Sequence, residues 1–231
     1  MVKLYELTLK VFLMKNISYE KTLEKISKLI DKSLSKDKDL LNFHEKNSNK
    51  FYTFNSLYPI EKSKIYKEGK IYSIKIRTIN EALSDYFKKN LVNEYTDYIK
   101  ALTIECTTIP KRYIEKIYSI TPVVIKTEKG YWKHNLSLEQ FEKRIKDNLI
   151  KKFNDYYNTK IDENFTLFRF MNIENQKPIA SKYKNISILG DKLTLAIDEN
   201  ESAQKLAYLA IGTSIGEMNA RGYGFVNYKW L

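Results

Sequence analysis

Ile211-Gly212-Thr213-Ser214-Ile215-Gly216-Glu217-Met218-Asn219-Ala220-Arg221-Gly222-Tyr223-Gly224-Phe225 carries four of the chain's seven glycines. Without a side chain, glycine lets the backbone take positive φ and lets another backbone come very close. Two glycine-containing triplets around Arg221 read as a loop laid against something, with phosphate the first expectation. A tight helix-to-strand turn, with glycines as cap and bulge, is the alternative. The stretch is no P-loop, because no Gly-Lys-Ser/Thr follows. It is also a poor dinucleotide fingerprint, which opens a crossover helix after a strand. Here the loop follows a short helix, Ser202 to about Ile211, and leads into a last strand, Phe225 to Trp230.

Working outward from the loop, the second half of the chain has a regular order. Ile114 to Thr127 is strand-rich, around Pro122-Val123-Val124-Ile125. Ser137 caps a helix from Leu138 to about Tyr157, with Phe141, Ile145, Leu149 and Phe153 on one face. Phe165 to Ile173, Tyr183 to Leu189 and Leu193 to Ile197 read as strands, the last entered through Gly190-Asp191. The first half matches. Leu4 to Phe12 alternates as a half-buried strand. Tyr19 to Leu34 is an amphipathic helix with Ser18 as N-cap. Phe51 to Phe54 is a short apolar run, and Lys64–Tyr66 with Lys70–Arg77 forms a hairpin around Gly69. Asn80 opens a helix to about Leu91, and Tyr98 to Ile109 is a strand ended by Pro110. Both halves therefore read β-α-β-β-α-β. The fold expected is α+β, two tandem ferredoxin-like units. The boundary falls near Pro110-Lys111-Arg112, giving domains 1–112 and 113–231.

The chain has 231 residues and 43% apolar composition, enough for a sizeable core. It carries 40 Lys+Arg against 28 Asp+Glu, a net charge of +12. That excess favours a polyanionic partner, although a lysine-rich, arginine-poor composition also reflects nucleotide bias. The single Cys106 excludes an intramolecular disulfide and a cysteine-cluster metal site, and reads as a small core residue on a strand. No apolar run approaches a membrane span, and the charged, alternating N-terminus is no signal peptide, so a cytoplasmic location is expected.

The loop is where a resemblance becomes specific. Ser214-Ile215-Gly216, five residues, then Gly222-Tyr223-Gly224-Phe225 resembles the C-terminal glycine-rich loop of the RAMP superfamily. Within it, the pattern is similar to that of the CRISPR repeat-RNA endoribonucleases, with Arg221 in the basic slot. Ser214 stands where that family has its first glycine. The resemblance covers the whole chain, since the tandem ferredoxin-like order, the size and the loop ahead of the last strand all match.

The resemblance implies a second site, a histidine after the first helix followed by a basic residue and an aromatic-Thr-Phe segment. Leu41-Asn42-Phe43-His44-Glu45-Lys46-Asn47-Ser48-Asn49-Lys50-Phe51-Tyr52-Thr53-Phe54 resembles it. His44 would be general acid or base, Lys50 would stabilise charge on the phosphate, and Tyr52 could orient either group. Lys28 and Lys32 on the first helix stand for a third catalytic partner. The other histidine, His134, lies in the segment before the second long helix, beside Trp132, which could stack a base. RNA contacts implied by the resemblance are Ser214, Gly216, Arg221, Gly222 and Gly224, with Lys205, Lys229, Arg169 and Lys143 as further cations. No metal and no cofactor are expected. The implied partner is CRISPR repeat RNA, with other effector-complex subunits and a homodimer as further partner classes. A catalytically silent, RNA-binding relative is the alternative. A general RNA-recognition protein is disfavoured, because no aromatic signature run lies on the central strands and Arg221-Gly222-Tyr223-Gly224-Phe225 comes closest.

Overall fold

The computed structural model describes residues 3–37 and 49–231. His44 lies outside the described residues. The first strand, β1 (Leu4–Leu13), buries Leu7, Leu9, Val11 and Leu13 at a spacing of two. That face receives α1 (Thr22–Leu34) through Leu23, Ile26, Leu29 and Ile30. β1 is the centre of its sheet. It pairs antiparallel with β5 (Ile71–Thr78), in the register Leu7↔Ile76, and with β6 (Ile99–Ile109), in the register Leu7↔Cys106. β3 (Tyr52–Phe54) adds to the far edge of β5, and α2 (Glu81–Asn90) starts at Asn80, whose side chain accepts from the Leu83 amide. The strand order is β3-β5-β1-β6.

The second unit repeats the plan. β7 (Ile114–Ser119), α3 (Leu138–Tyr157), β8 (Phe168–Ile173), β11 (Leu193–Ile197), α4 (Glu201–Thr213) and β12 (Val226–Trp230) give the order β12-β7-β11-β8. In both sheets the spatial order is second, third, first and fourth strand, or its mirror along the sheet, which is the ferredoxin-like arrangement. α3 opens with a complete capping box between Ser137 and Gln140.

Four local expectations are corrected. Ser18 makes no side-chain cap, because Tyr19–Lys21 inserts a 3-10 turn and the helix starts at Thr22. β4 (Ile65–Tyr66) does not pair with β5 as a hairpin but with β2 (Ile17–Ser18). Tyr183–Leu189 is two strands, since β9 (Ile179–Tyr183) turns at Lys184, at φ 52°, into β10 (Ile186–Gly190). The strand expected to run to Thr127 stops at Ser119, and Val123 contributes an isolated bridge to Asp191. Cys106 lies half-buried on β6, its sulfur 3.6 Å from the Ser84 hydroxyl.

The two units share their cores. Leu4 and Ile79 pack into the second core, and Val124, Ile188 and Tyr223 pack into the first. α4 is the wedge between them. Every residue from Leu206 to Thr213 is buried, because one side meets its own sheet and the other meets the first unit. A Cβ on Gly212 would lie 2.8 Å from the Ile79 side chain, so the helix can only seat this closely with glycine there. Arg77 locks the same interface. It is 2% exposed. Nε donates to Glu6 at 2.7 Å, and the terminal nitrogens donate to the Val226 carbonyl at 2.5 Å and Asn227 Oδ1 at 3.0 Å. Burial pushes the guanidinium pKa down, and Glu6 opposes that shift. Burial likewise pushes Glu6 up, but Arg77 and Lys75 outweigh it and hold its carboxyl below the usual range. Among the described residues, no helix is long and apolar enough to cross a membrane.

Candidate active site and RNA interface

Residues 49–54 form the approach to β3, and three separate elements fix them. Asn49 Nδ2 donates to the Asp155 carboxylate on α3. The Phe51 carbonyl accepts from the Thr78 hydroxyl of β5 at 2.6 Å. Asn219, within the glycine loop, donates through Nδ2 to the Lys50 carbonyl and to the Tyr52 carbonyl at 2.8 Å. The two sequence signals, the His44–Phe54 segment and the C-terminal loop, therefore meet at Lys50. Both units contribute to this place.

Tyr52 is corrected. It is 0% exposed, its ring packs edge-on to Phe87, and its hydroxyl has no hydrogen-bond partner among the described residues. Burial raises its pKa above the ordinary phenol value. It is a core residue under the site, not a group that reaches a substrate. Trp132 is also core. It stacks on Phe141 at 3.9 Å and its indole N–H donates to the buried Asp191 carboxylate at 2.6 Å, so it cannot offer a face to a base.

The glycine loop is laid against the chain's own backbone. Gly216, Gly222 and Gly224 take φ of +71°, +83° and +67°. A Cβ at Gly216 would meet the Val124 carbonyl at 2.7 Å, one at Gly222 the Phe54 ring at 2.5 Å, and one at Gly224 the Ile215 carbonyl at 1.9 Å. Ser214 is fully buried and also has positive φ, 67°. Backbone bonds lace the loop to the segment before it. Gly224 N donates to Pro122 O at 2.8 Å, Glu217 N to Val124 O at 2.8 Å, and Ile215 N to Gly224 O at 3.0 Å. The expectation that these glycines are small in order to admit phosphate is replaced by a packing reason: they admit protein.

Lys152, on the buried face of α3, completes the loop. Its Nζ donates to the carbonyls of Thr213, Ser214 and Gly216 at 3.1, 3.1 and 2.8 Å. These are orphan acceptors at the end of α4, where the helix dipole also favours a cation. As ammonium it has one proton for each carbonyl; as neutral amine it has two. Burial pushes its pKa from 10.5 down to about 7. Above that pH the folded chain has released a proton that the unfolded lysine still holds. Stability should therefore rise with pH from about 7 toward the ordinary lysine value, at most by about 1.4 kcal/mol per unit. Urea midpoints of wild type and Lys152→Met, compared between pH 6 and 9, should diverge in favour of wild type above pH 7. A constant difference across that range would overturn this assignment.

The expected cations lie in different places. Arg221 reaches back to α1, where it donates to Ser27 Oγ at 2.7 Å and pairs with Asp31, with the Tyr183 ring 5.5 Å away. Burial lowers its pKa, but Asp31 outweighs this and the net shift is upward. Lys205 pairs with Glu201 on α4 at 2.7 Å, and Lys229 on β12 with Glu115 at 2.7 Å. Arg169 faces Glu199 at 3.4 Å and Lys143 faces Asp147 at 2.7 Å. On the first helix, Lys28 pairs with Glu24, while Lys32 donates to the Tyr95 carbonyl at 2.7 Å and pairs with Glu94. His134 is exposed in a 3-10 turn, edge-on to Tyr131. Among the described residues, no three His, Cys, Asp or Glu side chains converge as metal ligands.

A family model described as CRISPR associated protein Cas6, C-terminal, matches residues 105–228, more than half of the chain. The chain belongs to the Cas6 family. A curated relative from Methanocaldococcus jannaschii, CRISPR-associated endoribonuclease Cas6 2, is 22% identical over 213 residues, covering 84% of this chain and 87% of the relative. A solved structure described as CRISPR associated protein Cas6 superposes with a TM-score of 0.68 at 21% identity, covering 98% of this chain and 99% of the other. One described as an RAMP protein binding different RNA substrates gives 0.73 at 17% identity, covering 97% and 99%. These structures share the tandem ferredoxin-like fold. Within this Cas6 chain, three residues at the site escaped sequence reasoning: Asn219, Lys152 and Asp155. Lys152 left one signal, a lysine beside Phe153 and three residues after Leu149 on an otherwise apolar helix face.

Proposed function

We propose that the chain is an endoribonuclease that cuts CRISPR repeat RNA without a metal ion. The observation that carries this reading is the Asn219 bridge. It ties the backbone of Lys50 to the loop that bears the family signature. In the reaction, the ribose 2′-OH gives its proton to a base as its oxygen attacks the adjacent phosphorus. The P–O5′ bond breaks, the 5′-oxygen receives a proton, and a 2′,3′-cyclic phosphate remains. His44, six residues before Lys50, supplies one of the two proton transfers. The Lys50 ammonium stabilises negative charge building on the phosphate oxygens. Arg221 and the basic surface hold RNA, with Ser214 and the loop glycines shaping the backbone behind it. Lys205 and Lys229 contribute through long-range charge.

Repeat RNA incubated with the protein in EDTA is expected to yield fragments ending in a 2′,3′-cyclic phosphate. Binding without cleavage would replace this reading with that of a silent RNA-binding relative.

A further inference from the structure

A cavity of about 670 Å³ opens beside Lys50, between Asn49 and Phe51 on one side and the last turn of α3 on the other. Asn154, Asp155, Asn158 and Lys160 complete its wall. The space is an open groove and not an enclosed pocket, and its volume exceeds what one nucleobase needs. Its shape is fixed from below. The Asn154 side chain accepts from the Ile161 amide at 2.9 Å, and its carbonyl receives the Asn158 amide as the helix ends with Asn158 in the left-handed region. The Phe51 ring is held edge-on to Tyr156, with centroids 5.0 Å apart.

The chemistry of the wall selects its occupant. The C-terminal end of a helix carries partial negative charge, and Asp155 adds a full one. At Asp155 itself a phosphate is repelled and a neutral group presenting N–H donors is attracted, while Lys160 supplies the one cation among the lining residues. Asp155 uses Oδ2 to accept from Asn49. A carboxylate offers about four acceptor sites, so it retains capacity for a ligand. Two adjacent N–H donors match its two oxygens, and among the nucleobases guanine presents that pair on its Watson–Crick edge. Adenine and cytosine present one amino group there, and uracil one ring N–H.

We propose that this cavity receives a nucleobase next to the cleaved phosphate and prefers guanine, with Asp155 as the specificity-determining residue. The proposal rests on the nuclease reading above, and it adds which base is chosen. Recognition by a well-placed pair of hydrogen bonds discriminates by about tenfold or more. Lys160 at the cavity wall can meet the neighbouring phosphate.

The test uses single-turnover cleavage of a repeat RNA panel by the full chain. The nucleotides directly 5′ and 3′ of the cleaved bond are replaced in turn by each base and by inosine. At one of these positions guanine is expected to exceed the other bases by about tenfold. Inosine, which lacks the 2-amino group, should lose most of that advantage. Asp155→Asn should flatten the preference, and because its amide oxygen can still accept from Asn49 the melting temperature should stay close to that of wild type. Equal rates across the panel, or a preference that Asp155→Asn leaves intact, would overturn the cavity assignment and leave the nuclease standing. Cleavage of no member would overturn both.

Discussion

Alanine in place of His44 is expected to slow repeat-RNA cleavage by about 10²- to 10⁴-fold, the usual share of general acid–base catalysis. Affinity for the RNA should change little, because the loss falls on proton transfer and not on charge. The chain has only two histidines, which makes the comparison clean. His134 sits exposed in a 3-10 turn against Tyr131 on the second unit. His134→Ala should therefore cleave at the wild-type rate. The neighbourhood supports this assignment of roles. Asn49, Lys50, Phe51 and Tyr52 are each held through side chain or backbone by α3, β5 or the glycine loop. If His44→Ala and wild type cut at equal rates, the proton-transfer role belongs to another residue.

Gly224→Ala is expected to cost roughly 4 kcal/mol or more. A left-handed residue that gains a Cβ pays about 1–2 kcal/mol. The added atom would sit 1.9 Å from the Ile215 carbonyl, a backbone atom that cannot rotate away. Relief requires moving the loop, which endangers the bonds from Gly224 N to Pro122 O and from Ile215 N to Gly224 O. Each is worth about 0.5–1.5 kcal/mol, and overpacking adds about 1–3 kcal/mol. Against a total stability of about 5–15 kcal/mol, this is enough to unfold a large fraction of molecules on mild heating. Gly69 is the control. Its φ is +76°, yet nothing lies within 4 Å of its added Cβ. Urea unfolding should show Gly69→Ala losing only the backbone strain. Equal losses for the two variants would show that the clash is relieved cheaply. A loop built mainly to admit phosphate would show the opposite pattern, with RNA affinity lost and stability kept.

Much of the architecture was legible because it rests on local periodicity. The apolar alternation of Leu7, Leu9, Val11 and Leu13 and the helical spacing of Phe141, Ile145, Leu149 and Phe153 need no distant partner to be recognised. Caps at Asn80 and Ser137 announced their helices for the same reason. Short elements were misread where pairing was decided at a distance. Ile65–Tyr66 is too short to specify a partner, and it joined Ile17–Ser18 instead of the neighbouring strand. Residues 179–190 carried no glycine at their turn, so Lys184 at positive φ concealed a hairpin.

The candidate site divides in the same way. Residue type and spacing by themselves determined the twofold ferredoxin-like order and the glycine loop around Gly222, and the loop's resemblance to a known family pointed to that family and to the segment around His44. Only the tertiary structure decided what those segments do to each other. Tyr52 looked available because the resemblance placed it in the aromatic-Thr-Phe segment after His44 and Lys50, and packing against Phe87 made it core. The glycines looked like a phosphate cradle, and the carbonyls of Val124 and Ile215 fill the space their missing side chains leave. Asn219 and Asp155 became visible only when chain segments far apart in sequence came within hydrogen-bonding distance, and Lys152, marked in sequence only as a lysine on an apolar helix face, gained its role the same way. Periodicity is a property of neighbours along the chain, whereas burial and hydrogen-bond partnership depend on which distant surfaces the folded chain brings together.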